Sequence, residues 1–274
     1  MKARVLTAIP LILIVLACVI SVSSIPLALL ILFCALAGYR ELAVLVFGKE
    51  SKGPTTLSAM LSLAVLLVFL PLGALNSIVG PFLYGFALCL TGIYCCLKIN
   101  LRSPYWGIVM NYLVGPFICL LSIHALNLPP DLRTSKLWDF HNPLLLFLLP
   151  LWAGDTAAIF GGMFFGKHKL APNLSPGKTW EGAILNFAAC VLVAWLLSYW
   201  ILVPVWVGLA TGMLIGICGQ VGDLFESKLK RNAGVKNSGS LLPGHGGLLD
   251  RIDSLLAVGA IAWVPLVLWI FQTR

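Results

Sequence analysis

Residues 182–201, GAILNFAACVLVAWLLSYWI, form an apolar stretch that contains no charged side chain. About 20 apolar residues in a helix span the hydrocarbon core of a bilayer, which is roughly 30 Å thick. The whole chain has the same character, because 60% of its 274 residues are hydrophobic and 10% are charged, with a mean hydropathy of +1.00. A soluble domain carries about 25% charged residues. The composition therefore predicts an all-α, polytopic integral membrane protein.

Outward from this stretch, apolar runs separated by charged or Pro/Gly-rich breaks predict about nine transmembrane helices. They lie near residues 5–22, 25–39, 57–74, 78–97, 105–128, 141–164, 182–201, 203–225 and 253–272. We divide the chain into an N-terminal membrane region, residues 1–140 with spans 1–5, and a C-terminal catalytic region, residues 141–274 with spans 6–9. The sequence contains no internal repeat and no linker long enough to separate two soluble domains.

The meaning of the net charge of +8 depends on where the basic residues lie along the chain. With a cytoplasmic N-terminus, 15 of the 18 Lys and Arg residues fall on the cytoplasmic side and three on the other side. Cytoplasmic loops of membrane proteins carry such an excess of positive charge. The predicted topology is N-in and C-out, in a multi-pass protein of the cell (inner) membrane. The basic residues thus indicate orientation, and we expect no nucleic-acid partner.

Two predicted cytoplasmic loops, residues 165–181 and 226–252, hold most of the conspicuous polar residues. Asp223 ends the span before the second loop, and Asp250 and Asp253 are spaced i, i+3 where the last span begins. That spacing puts both carboxylates on one face of a helix. Carboxylates at membrane depth are costly without partners. Three of them at one membrane face predict an oxygen-ligand site of the kind that Mg²⁺ prefers, with the active site facing the cytoplasm.

Basic residues and glycines surround these acids. Lys and Arg side chains neutralise phosphoryl oxygens that a metal does not bridge, and glycines before a helix N-terminus let the backbone approach an anion. Each of these features also has a simpler interpretation when it is taken alone. The basic loop fits a topology signal, the Gly-rich turn fits a connector, and the two acids fit a pair that stabilises the helix dipole. Together they favour a polyphosphate site, and the surrounding residues are Lys228, Lys230, Arg231, Lys236, Gly244, Gly246, Gly247 and Arg251.

The first loop supplies a second group of candidates. Asp155 lies inside the sixth predicted span, and Ser175-Pro-Gly-Lys-Thr-Trp-Glu-Gly182 precedes the seventh. Ser175 followed by Pro176 favours a helix N-terminus at this point. Lys178 and Glu181 are then expected to lie i, i+3 on one face of that helix and to point toward the substrate site.

Two blocks of the sequence resemble the phosphatidate cytidylyltransferases, also called CDP-diacylglycerol synthases. The first block is S-K-L-K-R-x4-K-N-x-G-x2-L-P-G-H-G-G-L-L-D-R-I-D, from Ser227 to Asp253. The second combines D-x2-A-x-F-x-G, from Asp155 to Gly162, with S-P-G-K-T-W-E-G at residues 175–182. The resemblance is dense over residues 155–254, whereas the N-terminal half agrees with the family only in hydropathy.

The resemblance implies a reaction of phospholipid biosynthesis, in which CTP and phosphatidic acid give CDP-diacylglycerol and pyrophosphate. It also implies Mg²⁺ as a cofactor, with K⁺ sharing the site, and a homodimer. By position, Asp223 and Asp250 match the metal-binding acids of the family. The complete set of candidates comprises Asp223, Asp250, Asp253, Lys230 and Arg231 as catalytic residues, and Asp155, Ser175, Lys178, Lys236, His245, Gly246, Gly247 and Arg251 as substrate-binding residues.

One residue departs from the family pattern, which has Lys-Asp where this chain has Lys236-Asn237. Asn keeps an oxygen acceptor but lacks the negative charge, so we expect retained activity with an altered metal affinity. Two other functions stay open at this point. A CTP-dependent lipid-alcohol kinase uses the same nucleotide and is separated by its acceptor, and a transporter of an anionic solute also uses intramembrane acids. A catalytically silent paralogue is a third option, raised only by Asn237.

Overall fold

The computed structural model describes residues 2–47, 106–126, 137–241 and 246–272. Within these ranges the chain forms eight α-helices and a two-stranded sheet. They are α1 (Lys2–Ile20), α2 (Ser24–Phe47), α3 (Trp106–His124), α4 (Leu145–Phe165), β1 (Lys169–Ala171), β2 (Ser175–Thr179), α5 (Trp180–Ile201), α6 (Val205–Asn232), α7 (Leu249–Ile261) and α8 (Val264–Gln272). The predicted spans at residues 57–74 and 78–97 lie outside the described residues.

Five segments of the described chain are helical, long and apolar enough to cross a membrane. They are Ser24–Leu45, Leu145–Phe165, Trp180–Ile201, Val205–Asn232 and Leu249–Gln272, the last of which combines α7 with α8. These helices indicate a multi-pass membrane protein and agree with the predicted helical fold. The count of nine spans, the N-in orientation and the division at residue 140 stay predictions. Across that division, α2 and α3 pack against α7.

Two helices run past the ends that the sequence predicts. α2 continues to Phe47 instead of stopping near residue 39, and α6 continues to Asn232 instead of residue 225. The helices continue past the predicted spans because the charged residues that suggested the span ends, such as Arg40 and Lys230, are good helix formers. The first part of the predicted loop 226–252 is therefore helical. Both extensions carry acidic residues, Glu41 on α2 and Glu226 on α6, into buried positions.

The segment before α5 is a β-hairpin, so the prediction that Ser175 opens a helix is wrong. β1 pairs antiparallel with β2, and Ala171 lies opposite Ser175. Pro176 and Gly177 both disfavour a helix, and Pro is tolerated in an edge strand. The helix starts one residue after Thr179, whose hydroxyl caps α5 by accepting a hydrogen bond from the Gly182 amide at 3.2 Å.

A row of glycines on α6 sets how closely the neighbouring helices approach. A Cβ atom at Gly208, Gly212 or Gly216 would lie 2.7 to 2.9 Å from atoms of α5. One at Gly222 would lie 2.6 Å from the Cβ atom of Ala257 on α7. Small residues at helix interfaces let the backbones approach in this way. α6 is therefore held between α5 and α7, and its C-terminal half reaches the polar residues that both loops contribute.

Candidate active site

A cavity of about 660 Å³ lies where α4, the hairpin, α5, α6 and α7 meet. Cavities that bind small molecules have volumes of roughly 300–1,000 Å³. Four carboxylates and three basic side chains line it, and the sequence singled out all seven. They are Asp155, Asp223, Asp250, Asp253, Lys178, Lys230 and Arg251. The two predicted loop regions thus contribute to one cavity of ligand size, and the expectation that Asp250 and Asp253 share a helix face is confirmed.

Asp223 joins the hairpin to α6. Its Oδ2 atom lies 2.5 Å from Nζ of Lys178 on β2, and its Oδ1 atom accepts a hydrogen bond from the Ser227 hydroxyl at 3.5 Å. The Asp223 side chain keeps 37% of its surface exposed, so it can face a ligand. Hydrogen bonds between charged groups are stronger than those between neutral groups. This contact therefore holds β2 against α6 and places a lysine beside a carboxylate in the cavity wall.

Asp250 accepts hydrogen bonds on both carboxylate oxygens. Lys230 donates to Oδ1 at 2.7 Å, while the backbone amides of Gly247 and Ser238 donate to Oδ2 at 2.9 and 3.0 Å. Gly246, directly before this turn, has a φ of +86°, which glycine adopts without strain. Asp250 therefore ties the backbone around residues 238 and 247 to α6 and fixes the start of α7.

A buried acid, Glu226, lies one helical turn before Lys230 and was missed by the sequence prediction. Its side chain is 1% exposed, and Nζ of Lys230 lies 3.5 Å from its Oε1 atom, so Lys230 lies between Glu226 and Asp250. Glu226 also interacts with the neighbouring acid Asp253. Buried carboxylates are costly unless they are fully paired. Lys230 therefore compensates part of the negative charge of Glu226 as well as that of Asp250.

An amide pair positions Asp155 in the part of the cavity wall that α4 contributes. Asn186 donates to Oδ1 of Asp155 at 3.4 Å, and Gln220 donates to Oδ1 of Asn186 at 3.3 Å. The Gln220 amide also donates to the backbone carbonyl of Gly216 at 2.8 Å. These bonds connect α4, α5 and α6 inside membrane-spanning segments, where polar side chains stabilise helix contacts. The sequence signal for Asn186 and Gln220 was weak, since each is an isolated amide in an apolar span.

Several candidates lie beside the cavity instead of in its wall. Arg231 donates from Nε to the backbone carbonyl of Leu174 at 3.2 Å and so holds the tip of the hairpin. Asn237, the residue that departs from the family pattern, lines the cavity, whereas its neighbour Lys236 is exposed outside the lining. Among the described candidates, those outside the lining are Ser175, Arg231, Lys236, Gly246 and Gly247. His245 lies outside the described residues.

Glu181 also differs from its expected place. Its carboxylate contacts His168, whose Nδ1 atom lies 2.7 Å from Oε1 and whose backbone amide donates to the same oxygen at 3.2 Å. The prediction that Lys178 and Glu181 share one helix face is wrong, because Lys178 lies on β2, before the helix begins. Glu181 therefore attaches the hairpin to α5.

A model of the cytidylyltransferase family matches residues 2–269, which is nearly the whole chain. The chain belongs to the cytidylyltransferase family. The family resemblance inferred from the two sequence blocks is thereby confirmed.

Three relatives illustrate this membership. This chain is 42% identical over 151 residues to a phosphatidate cytidylyltransferase of Brucella suis biovar 1 (strain 1330), covering 55% of this chain and 54% of that protein. It is 44% identical over 120 residues to a phosphatidate cytidylyltransferase of Staphylococcus aureus (strain COL), covering 43% and 46%. With the chloroplastic phosphatidate cytidylyltransferase 4 of Arabidopsis thaliana it shares 47% identity over 113 residues, covering 40% and 29%. The aligned region spans about half the length of the Brucella relative.

Proposed function

We propose that this chain is a phosphatidate cytidylyltransferase, which converts CTP and phosphatidic acid into CDP-diacylglycerol and pyrophosphate. The observation that carries the proposal is the cavity in which four carboxylates and three basic side chains converge among membrane-spanning helices. A nucleotide triphosphate requires positive charge around it, and a lipid substrate requires a site that meets the bilayer. The names of the three relatives support the same reaction.

Access for the lipid is supported by the apolar part of the cavity wall. Ile159 and Met163 on α4 line the cavity and are 62% and 71% exposed. On a helix long enough to cross a bilayer, exposed apolar side chains contact acyl chains. Phosphatidic acid approaches along α4 with its acyl chains in the bilayer, while CTP enters from the cytoplasm. We also propose that the protein lies in the cell (inner) membrane with its active site facing the cytoplasm, on the basis of the charge distribution. The family resemblance supports a homodimer.

The reaction is an in-line displacement at the α-phosphorus of CTP. A phosphate oxygen of phosphatidic acid forms a new bond to that phosphorus, while the bond to the oxygen that bridges to the β-phosphate breaks. Pyrophosphate leaves with the electron pair. The nucleophile is already an anion near neutral pH, so the main obstacle is repulsion between two polyanions. Lys178, Lys230 and Arg251 reduce that repulsion by placing fixed positive charge at the cavity wall.

Mg²⁺ is the proposed cofactor, with K⁺ as a second cation. The donor chemistry fits a hard cation, because carboxylates outnumber basic side chains four to three in the lining. No group of three acids, histidines or cysteines among the described residues forms a ready metal cluster. The proposal does not require such a cluster, because the usual Mg²⁺ site combines one or two carboxylates with substrate phosphates.

Asp223 and Asp250 are the proposed metal ligands. Asp223 is the more available of the two, since both oxygens of Asp250 accept hydrogen bonds from Lys230 and from backbone amides. When bound, the metal would neutralise phosphate oxygens of the nucleotide and so favour attack at phosphorus.

The protein reconstituted in liposomes that contain phosphatidic acid tests the proposed function. With CTP and Mg²⁺, we expect CDP-diacylglycerol, identified by mass spectrometry, and one pyrophosphate per lipid product. Replacing phosphatidic acid by a lipid alcohol tests the kinase alternative, which would give a phosphorylated lipid and CDP. Counterflow of labelled CTP in sealed vesicles tests the transporter alternative. Either of these results, without CDP-diacylglycerol, would overturn the proposal.

A further inference from the structure

Glu41 is a buried carboxylate in the membrane-spanning part of α2. Its side chain belongs to the segment Ser24–Leu45 and is 8% exposed. An acidic residue at such a position is costly unless it is well paired, and it is often functional. The hydrogen-bond donors that pair it lie 197 to 208 positions further along the chain. Glu41 therefore links the N-terminal helices to the segment that carries the cavity acids.

Both oxygens of Glu41 accept hydrogen bonds from the start of α7. The Leu248 amide donates to Oε1 at 2.9 Å, and the Leu249 amide donates to Oε2 at 2.8 Å. The first amides of a helix have no acceptor within the helix, and Leu248 at the N-cap of α7 provides no side-chain cap. A carboxylate at a helix N-terminus also interacts favourably with the helix dipole. Glu41 thus caps α7 from a different helix.

The same carboxylate holds Ser238. The Ser238 hydroxyl donates to Oε2 of Glu41 at 2.9 Å and accepts a hydrogen bond from the Asp250 amide at 3.3 Å. The Ser238 amide donates to Oδ2 of Asp250 at 3.0 Å, and Asp250 accepts from Lys230 at 2.7 Å. A continuous set of hydrogen bonds therefore runs from Glu41 through Ser238 and Asp250 to the Lys230 amine in the cavity wall.

Two glycines bring backbone directly against the Glu41 carboxylate. A Cβ atom at Gly239 would lie 2.6 Å from Oε1, and one at Gly247 would lie 2.5 Å from Oε2. A residue with a Cβ atom at either position would force the carboxylate to shift. The backbone at Gly239 and the backbone at Gly247 thus lie directly against the Glu41 carboxylate.

We propose that Glu41 is a positioning residue for the cavity, which sets the start of α7, and with it Asp250 and Arg251, against α6. Glu41 is not among the residues that line the cavity, so it acts through Ser238 and the two leucine amides. The consequence for catalysis rests on the proposed cytidylyltransferase reaction, whereas the contact itself does not.

Amide hydrogen exchange of the reconstituted protein tests the contact without reference to activity. Glu41→Gln keeps the size of the side chain but replaces one acceptor oxygen by a donor. We expect the amides of Leu248, Leu249 and Ser238 to exchange about tenfold faster or more, with α5 unchanged. Thr211→Val is the matched control, because it removes a buried hydroxyl on α6 that has no hydrogen-bond partner in the described chain. Unchanged exchange in Glu41→Gln would overturn the proposal.

Kinetics test the consequence of this contact for catalysis. The kcat value is expressed per amount of folded, monodisperse protein, so that a loss of folded protein does not lower it. Glu41→Gln should lower kcat for CDP-diacylglycerol formation about tenfold or more, and Thr211→Val should not change it. Because Glu41 acts through Ser238, the two substitutions are not independent. The double variant Glu41→Gln/Ser238→Ala should therefore lose much less kcat than the product of the two single losses. Wild-type kcat in Glu41→Gln, or strictly multiplicative effects, would overturn the positioning role.

The two proposals fail in different ways. A folded wild-type protein that forms no CDP-diacylglycerol contradicts the proposed function. In that case the exchange measurement alone decides whether Glu41 positions the start of α7.

Discussion

The two sides of the cavity are held in different ways. On the α6–α7 side, Asp250 accepts hydrogen bonds from Lys230 and from backbone amides, and Glu41 caps the helix that carries it. On the hairpin side, Lys178 lies on a five-residue strand and reaches Asp223 through an ion pair at 2.5 Å. The first side is a set of buried, mutually bonded groups on packed helices. The second is a short strand that depends on contacts with the helices beside it.

This difference predicts which substitutions destroy the site and which only loosen it. Removing one member of a buried, hydrogen-bonded charge pair leaves the other member unpaired, which is strongly unfavourable. Removing one member of an exposed pair changes little, because water replaces the lost partner. We therefore expect effects to decrease from Asp250, through Lys178, to the exposed contacts of the hairpin.

The largest effect is expected for Asp250→Asn. The substitution removes the negative charge beside Lys230 and one proposed metal ligand, so CDP-diacylglycerol formation should fall at least about a hundredfold. The measurement is product formation from labelled CTP by reconstituted protein, compared at equal amounts of folded protein. Turnover near that of the wild type would contradict the assignment of Asp250 as a metal ligand. It would also contradict the expectation that substitutions on the α6–α7 side have the largest effects.

A smaller loss is expected for Lys178→Met, which keeps the length of the side chain but removes its charge. Because the ion pair with Asp223 is partly exposed, kcat/KM for CTP should fall roughly tenfold. Lys169→Met on β1 is the matched control, since Lys169 is exposed on the same hairpin and does not line the cavity. Equal effects of the two substitutions would show that the charge of Lys178 has no specific role.

Asn237→Asp restores the acid of the family pattern at a residue that lines the cavity. An added carboxylate strengthens attraction for a divalent cation, so half-saturation by Mg²⁺ should occur at about threefold lower concentration. The expected change in kcat at saturating Mg²⁺ is less than about twofold. Activity measured across a Mg²⁺ titration checks this. An unchanged or weaker dependence would place the metal away from Asn237.

The smallest effect is expected for Glu181→Gln, which weakens the contact between α5 and His168, the residue directly before β1. The His168 side chain is 78% exposed, so kcat/KM should stay within about twofold of the wild type. A fall of about tenfold or more would reverse the order of effects proposed here and show that attachment of the hairpin to α5 limits the reaction.

The parts of this molecule that follow from local pattern could be predicted from the sequence. The helices α4 and α5 lie within a few residues of the predicted spans 141–164 and 182–201, because uninterrupted apolar runs leave few alternatives. The i, i+3 spacing of Asp250 and Asp253 correctly placed both on one helix face. The hairpin was missed because Ser175-Pro176 resembles a helix start, while the residue that caps the helix is Thr179.

The contacts that hold the site could not be predicted from the sequence, because they join residues far apart along the chain. Glu41 pairs with donors about 200 positions away, and no local pattern marks it as different from any charge at a helix end. Glu226 was assigned to a loop, and only its 1% exposure identifies it as a buried partner of Lys230. A motif therefore indicates which residues belong to a site, whereas the packing determines what each of them contacts.

The central claim is that this cavity transfers a cytidylyl group to a lipid phosphate, and the most direct test follows each phosphorus of CTP. Liposomes with the protein and phosphatidic acid receive Mg²⁺ and CTP labelled at either the α- or the γ-phosphorus. We expect the α-label in the lipid fraction as CDP-diacylglycerol and the γ-label in soluble pyrophosphate. In Asp250→Asn, formation of both labelled products should fall at least about a hundredfold. A γ-label in lipid, or no labelled lipid from folded wild-type protein, would contradict the claim.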